Sequence, residues 1–317
     1  MLNLWQALDR TIRHNLDRVA TIEHINGDTL VTTWREFGER VSKISGVLLG
    51  QGVTKRASFG ICMKNSAKFD ELKWAGFRAG AIPVPINWRL APPEIVHILE
   101  DSDIETIFLE ADFLPLFDAP ELEPWQSRLV CTNPVDGNRN IIRYDDLFAA
   151  AKIPNAADVD PDEDAILFYT GGTTGSSKGV RLSHTNVITC AVAYTLGLQG
   201  KPNDVYLHVP PMFHSADLLA TGWFLMGAGQ AYLPMFSPSA LFETIENCGV
   251  TVIVLVPTMV IMTLNDPGLA AFDRSNLRRI AIGSAPLAPE LAKGLAENFP
   301  DVGLSNTYGL TEVAPDL

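Results

Sequence analysis

Ala165-Ile166-Leu167-Phe168-Tyr169 runs directly into Thr170-Gly171-Gly172-Thr173-Thr174-Gly175-Ser176-Ser177-Lys178-Gly179, and this junction decides how the rest of the chain is read. The apolar half reads as a buried strand. The polar half cannot be core, because it holds almost nothing but glycine, threonine and serine. Glycines let successive backbone N–H groups turn toward one point, and hydroxyls add donors. A concave row of donors is an anion site, and Lys178 adds a full positive charge. The stretch is therefore expected to wrap a polyphosphate. A flexible surface linker is the plainer alternative, but linkers rarely set a Thr-Thr pair and a lysine between two strand-like runs.

Two familiar loop patterns fit poorly. A nucleoside-triphosphatase P-loop needs Gly-Lys-Ser/Thr, whereas Lys178 follows Ser177 and precedes Gly179. Gly175-Ser176-Ser177-Lys178-Gly179 does match the Gly-x-Ser-x-Gly of a hydrolase elbow, which requires a helix immediately afterwards. Val180-Arg181-Leu182 looks extended instead, so Ser177 stands as a minor candidate nucleophile.

Composition narrows the partners. The chain has 317 residues, 47% hydrophobic and 19% charged, which suits a globular fold with a large core. Its net charge of −13 argues against nucleic acid, whose phosphates need clustered lysine and arginine. The anion site must then be local. Cys62, Cys131, Cys190 and Cys248 lie far apart with no Cys-x-x-Cys pair, suggesting neither zinc nor a disulfide framework and fitting a reducing, cytoplasmic compartment. The N-terminus leads into a charged amphipathic stretch and does not read as a signal peptide. The longest apolar windows are too short to cross a bilayer, so no transmembrane segment is expected. A homodimer is a candidate assembly.

Along the chain, Thr33-Trp34-Arg35-Glu36 is a capping box opening a helix with Phe37, Val41, Ile44 and Leu48 on one face. A strand from Ser58 to Met63 follows, then a helix capped by Asn65-Ser66. Pro83 and Pro85 argue that Ala81 to Ile86 is an edge strand or extended segment. A helix from about Pro92 to Glu100 leads to a strand at Thr106 to Leu109. Residues 110–163 are less regular. Beyond the polar loop, helices are expected from Thr185 or Asn186, after His214, from Ser237 or Ser239 to Cys248, and from Pro289 to Asn298. Strands are expected at Asp204 to Val209, Ala231 to Leu233, Thr251 to Val256, Arg279 to Ile282 and Gly303 to Tyr308. This alternation is the signature of an α/β fold, with mostly parallel sheets flanked by helices in layers. Ligands of such sheets sit at the carboxyl ends of strands. The polar loop, Gly283 to Pro286 and Tyr308 to Glu312 each follow a strand, and topology suggests that they converge.

Tyr169-Thr170-Gly171-Gly172-Thr173-Thr174-Gly175-Ser176-Ser177-Lys178-Gly179 resembles the glycine-rich signature of the adenylate-forming superfamily, which includes acyl-CoA synthetases, peptide-synthetase adenylation domains and beetle luciferases. Gly171 replaces the family's serine, and Ser177 its proline. Three further matches fall in family order. Pro211-Met212-Phe213-His214 looks like the aromatic-His segment beside the acyl pocket. Gly283-Ser284-Ala285-Pro286 looks like the adenine-facing turn. Asn306-Thr307-Tyr308-Gly309-Leu310-Thr311-Glu312 is similar to the family's Tyr-Gly-x-Thr-Glu. Ala79 to Asn87 also has the family look, so the likeness covers nearly the whole chain.

The resemblance implies the large N-terminal domain of an adenylate-forming enzyme, truncated before its C-terminal domain. Two subdomains are expected, at about 53–200 with the phosphate-loop sheet and about 1–52 plus 201–317 with a second sheet. It implies ATP, Mg²⁺, a small-molecule carboxylate and coenzyme A as co-substrate. Thr170, Gly171, Gly172, Thr173, Thr174, Gly175 and Lys178 would hold the phosphates. Gly283, Ser284, Ala285, Pro286, Asn306, Thr307, Tyr308 and Gly309 would hold the nucleoside, Tyr308 offering adenine a flat face. Thr311 would hydrogen-bond the α-phosphate, and Glu312 would be the Mg²⁺ ligand. His214, Phe213, Ala216 and Ala220 would line the acyl pocket with Gly283, Ser284 and Gly309. The small residues leave room for a fatty, aryl or alicyclic acid. His14, His24, His97, His184 and His208 show no ligand spacing. Family members continue well past Thr311-Glu312, into a hinge and a small domain with a catalytic lysine. The likeness therefore implies little turnover from this stretch alone. Three alternatives stand beside acyl-CoA synthesis. One is a carrier-protein-loading adenylation domain. In the peptide-synthetase kind an aspartate, here Asp217, would hold an ammonium, although Asp217 reads better as a first-turn helix residue. The others are a non-catalytic nucleotide-binding module and a serine hydrolase.

Overall fold

The computed structural model describes residues 2–134, 141–171 and 175–314. They separate into two compact units. One comprises Met1–Gln6, Gly38–Lys64 and Lys68–Thr185; the other comprises Ala7–Phe37, Asn65–Ala67 and Asn186–Leu317. Residues 1–6 and 38–52 group with the first unit, and residues 65–67 and 186–200 with the second, whereas the division expected from sequence was about 53–200 against 1–52 plus 201–317.

The first unit is built on a five-stranded, wholly parallel sheet in the order Ile82–Pro85, Ser58–Cys62, Ile107–Leu109, Leu129–Cys131, Ile142–Arg143. Four of its strands are short and buried on both faces, as a helix-covered parallel sheet requires, while the edge strand Ile142–Arg143 is half-buried to exposed. Ile82–Pro85 is an edge strand, where Pro83 and Pro85 remove no donor that the ladder needs. Helix Pro92–Asp101 begins on two prolines, and Glu94 accepts from the Ala91 backbone N–H at 2.9 Å. Its Ile95, Ile98 and Leu99 are buried in the core with Ile82, Val84, Ile107 and Leu109. Residues 110–163 are less regular, and include 3₁₀ segments at Ala111–Asp118 and Pro120–Arg128.

The polar loop is not at the carboxyl end of a parallel strand. Asp164–Thr170 pairs antiparallel with Lys178–Ser183 in a separate two-stranded sheet, and Thr170 faces Lys178 across its closing pair. A parallel return needs a crossover of roughly a dozen residues, far more than the connection between Thr170 and Lys178 supplies. The same geometry disposes of the hydrolase elbow, because a strand and not a helix follows Ser177.

The second unit carries a seven-stranded sheet in the order Gly303–Asn306, Arg279–Ile282, Val252–Leu255, Val205–His208, Gly229–Tyr232, Val19–Ile25, Asp28–Thr33. All neighbours are parallel except the last pair. That hairpin went unread in the sequence, although Asn26-Gly27 is its signal. Both residues have positive φ, 53° and 86°, as a tight two-residue turn demands. The Thr33–Glu36 capping box forms as expected. The Thr33 backbone N–H donates to Glu36 Oε2 at 2.8 Å, and the Glu36 N–H donates to Thr33 Oγ1 at 3.3 Å. Ser237 caps helix Pro238–Cys248, and Gly249 ends it in the left-handed conformation. This helix, Pro257–Leu264 and Pro289–Asn298 bury Leu241, Ile245, Val260 and Leu295 against Ile253, Leu255, Ile280 and Ile282.

Buried Asp204 ties three of these strands together at their amino ends. Its carboxylate accepts from the Lys201 N–H at 2.8 Å, Trp223 Nε1 at 2.9 Å, Thr251 Oγ1 at 3.0 Å and the Arg278 guanidinium through both Nε and Nη2. Asp204, Thr251 and Arg278 immediately precede adjacent strands. Among the described residues no helix is long and apolar enough to cross a membrane. Cys62, Cys131 and Cys248 are buried, and burial raises their thiol pKa values.

Burial alone would raise the Asp204 pKa, but Arg278, Trp223 and the Lys201 amide outweigh it and hold the carboxyl below its ordinary value. The network's contribution is therefore complete at neutral pH and declines once pH falls below about 4. Asp204→Asn should cost about 2–3 kcal/mol at pH 7, because it leaves Arg278 without its counter-charge. Thermal melts of wild type and variant from pH 7 to pH 3 should converge at the acid end.

Candidate functional site

In the first unit the hairpin presents Thr170, Gly171, Gly175 and Lys178; Gly172, Thr173 and Thr174 lie outside the described residues. Lys178 is exposed and has no acidic partner among the described residues, so its charge remains available to an anion. Gly175 has φ +157°, a conformation in practice reserved for glycine. Among the described residues nothing lies within 4 Å of where a Cβ at Gly171 would sit. Both stems of the hairpin are tied to helix Pro92–Asp101. Tyr169 Oη donates to Asp101 Oδ2 at 2.6 Å, and His97 Nε2 donates to the Ser177 carbonyl oxygen at 2.8 Å. The sequence assigned His97 no site role, yet it is the residue that meets the loop. It binds the backbone of Ser177, which makes it an anchor and not the base of a Ser–His pair. Burial, reinforced by Asp101, raises the Tyr169 pKa, so its hydroxyl stays a donor at neutral pH.

In the second unit the remaining motifs follow strands of the seven-stranded sheet at their carboxyl ends. Arg279–Ile282 pairs in register with Gly303–Asn306, and the ladder continues with Thr307 N–H donating to the Ile282 carbonyl at 2.8 Å. Gly283 is buried against Thr307; a Cβ there would lie 2.7 Å from Thr307 Oγ1. Ser284 has φ +73°, an uncommon conformation for a serine and one that cost is tolerated for at functional turns. It is exposed with Ala285, Pro286 and Asn306, and Tyr308 is 67% exposed. A tyrosine ring left so open beside a strained turn can serve as a stacking platform.

The Pro211–His214 segment follows strand Val205–His208 of the same sheet. Asn65 fixes it: its amide donates to the His208 and Pro210 carbonyls at 3.1 and 3.0 Å and accepts from the Met212 N–H at 2.8 Å. The sequence had read Asn65 only as a helix cap. His214 is exposed, its ring 4.6 Å from that of buried Phe213. Ala216 is half-buried and Ala220 fully buried. Ser215 Oγ lies 2.8 Å from Thr311 Oγ1, so this segment and the Thr-Glu motif are bonded to each other. Ser215 carried no signal in the sequence.

Asp217 is in the first turn of a 3₁₀ segment, as its position suggested, but it is buried, and bonded to His208 Nδ1 at 2.8 Å. His208 Nε2 in turn lies 3.3 Å from Gln230 Oε1, and its ring stacks on Tyr232 at 4.9 Å. An aspartate so engaged is not set to receive a substrate ammonium. Among the described residues no group of three or more His, Cys, Asp or Glu could cage a metal. Glu312, exposed and without an ion-pair partner among those residues, fits Mg²⁺ instead, an ion commonly bound by one or two carboxylates with phosphate oxygens and water.

The chain is 28% identical over 97% of its length to the fatty acid–[acyl-carrier-protein] ligase ScoC of Streptomyces coeruleorubidus, of which it spans 59%. It is 30% identical to 4-coumarate–CoA ligase 1 of Arabidopsis thaliana, over 77% of this chain and 45% of that one. The chain thus spans about half the length of the curated relatives it matches. Among solved structures, the N-terminal domain of FACL13 from Mycobacterium tuberculosis superposes with a TM-score of 0.86 at 25% identity, covering 99% of this chain and 77% of that one. The long-chain-fatty-acid-CoA ligase FadD1 from Archaeoglobus fulgidus does so with a TM-score of 0.88 at 27% identity, covering 100% and 65%. The family model for AMP-binding enzymes matches residues 8–317, and the chain belongs to that family.

Proposed function

We propose that the protein to which this chain contributes activates a carboxylic acid with ATP and passes the acyl group to the thiol of coenzyme A. A carboxylate oxygen attacks the α-phosphorus, the bond to the outgoing phosphates breaks, and pyrophosphate leaves. The thiol sulfur then adds to the acyl carbon, the bond to the AMP oxygen breaks, and the thiol proton is released. The observation that carries this reading is the 2.8 Å contact between Ser215 and Thr311, which sets the segment expected to face the acyl group beside the residue expected to face the α-phosphate. Ser215 can donate to Thr311 Oγ1, leaving the Thr311 proton free to point at a phosphate oxygen.

Each residue then has a task. The amides and hydroxyls from Thr170 to Gly175, with Lys178, hold the outer phosphates and absorb negative charge as it builds. Gly283 to Pro286 and Asn306 to Gly309 hold the nucleoside, with the exposed Tyr308 ring against adenine. His214, Phe213, Ala216 and Ala220 shape the acyl pocket, small enough in side chain to admit a fatty, aryl or alicyclic acid. Mg²⁺, held by Glu312, would neutralise charge on the phosphate oxygens.

The similarity to an acyl-carrier-protein ligase keeps a carrier thiol as a second acceptor. An amino-acid substrate is disfavoured by the Asp217–His208 bond.

Calorimetry on the 317-residue chain should show ATP binding that is tighter with Mg²⁺ than without. Glu312→Gln should abolish that difference while leaving AMP affinity unchanged; equal, Mg²⁺-independent binding of ATP and AMP would count against the reading. Gly171→Ser adds a side chain where no described residue lies within 4 Å of its Cβ, and its hydroxyl should tighten Mg·ATP binding about twofold to fivefold. In the whole protein, Thr311→Val should lower carboxylate-dependent pyrophosphate exchange about a hundredfold with little effect on AMP binding.

A further inference from the structure

We propose that His97 and Tyr169 are positioning residues for the glycine-rich loop, clamping both its stems to one helix so that Thr170 and Lys178, which flank the loop, are held in place for the outer phosphates. This rests on reading that loop as the polyphosphate site.

Among the described residues the strands Asp164–Thr170 and Lys178–Ser183 have only each other as ladder partners, although Asp164–Thr170 also lies against the edge strand Ile82–Pro85. An isolated two-stranded hairpin is marginal by itself. Its open end therefore needs an outside reference. Helix Pro92–Asp101 supplies one, because Ile95, Ile98 and Leu99 lock it into the core. His97 and Asp101 stand four residues apart, hence one turn apart on one face. Each meets a different stem: Asp101 accepts from Tyr169 Oη at 2.6 Å, and His97 donates to the Ser177 carbonyl at 2.8 Å. These two points directly precede Thr170 and Lys178, which face each other in the last pair of the ladder. The clamp therefore sets the separation and direction at which the loop leaves the hairpin.

Two details support a built arrangement. Gly179 leaves room for the ring: a Cβ there would lie 3.0 Å from Leu167 Cδ1, 3.2 Å from Tyr169 Cζ and 3.3 Å from its hydroxyl oxygen, so these side chains would have to shift to admit one. The His97 ring also meets the Tyr169 ring edge-on at 6.3 Å, joining the two halves of the clamp. A carbonyl can only accept, so His97 Nε2 carries a proton in the bonded state. Glutamine can present an N–H there; leucine cannot.

The test compares Mg·ATP, pyrophosphate and AMP binding by calorimetry on the full chain, with a melting curve for each variant. His97→Leu and Tyr169→Phe should each weaken Mg·ATP and pyrophosphate binding about fivefold, with AMP affinity and melting temperature unchanged. His97→Gln should bind Mg·ATP like wild type. Unchanged Mg·ATP binding in both variants, or a loss shared by AMP, would overturn the clamp. A wild-type chain that binds AMP but gains nothing from the outer phosphates would overturn the reading of the loop itself, and the clamp with it.

Discussion

One buried carboxylate holds the second unit in register. Asp204 gathers donors from the segments that open three adjacent parallel strands: Lys201 and its own strand start, Thr251, and Arg278. A parallel ladder has no tight turn to fix its pairing, and slipping a strand by one residue would turn every side chain to the wrong face. Fixing the amino ends fixes where the carboxyl ends emerge. There the same strands release Val209 to His214, Gly283 to Pro286 and, one strand further, Thr307 to Glu312. The Ser215–Thr311 bond and the contact of Gly283 with Thr307 are consequences of that alignment.

The first unit solves a different problem. The loop proposed to hold the phosphates joins two short antiparallel strands, Asp164–Thr170 and Lys178–Ser183. Donors held on so slight a platform gain from being fixed in advance, since ordering them at binding costs affinity. The bonds from His97 and Asp101 provide that fixing from a helix whose other face is core. Lys178 then brings charge to a chain that is acidic overall.

Helix starts and strand runs were legible because they depend on neighbours in sequence. The Thr33–Glu36 box, the Ser237 cap with its closing Gly249 and the proline-marked edge strand at 82–85 are all local chemistry. The family motifs were legible because their spacing is specific. The Asn26-Gly27 turn was equally visible and was passed over. What could not be read were roles that depend on distant partners: Asn65 serving residues 208–212, Asp217 held by His208, and Ser215 beside Thr311.

By itself, then, the sequence determined the α/β alternation, the polar glycine-rich character of Thr170 to Gly179 and membership in the family of AMP-binding enzymes. Periodicity, turn chemistry and motif spacing are written residue by residue. Only the tertiary structure decided that the loop rides on an antiparallel hairpin, that Asp217 is buried, and that His97, a histidine given no site role from sequence, bonds the loop's backbone. Those outcomes turn on which side chains folding brings within hydrogen-bonding distance, and a residue such as His97 looks the same in sequence whether Ser177 is 2.8 Å away or across the molecule.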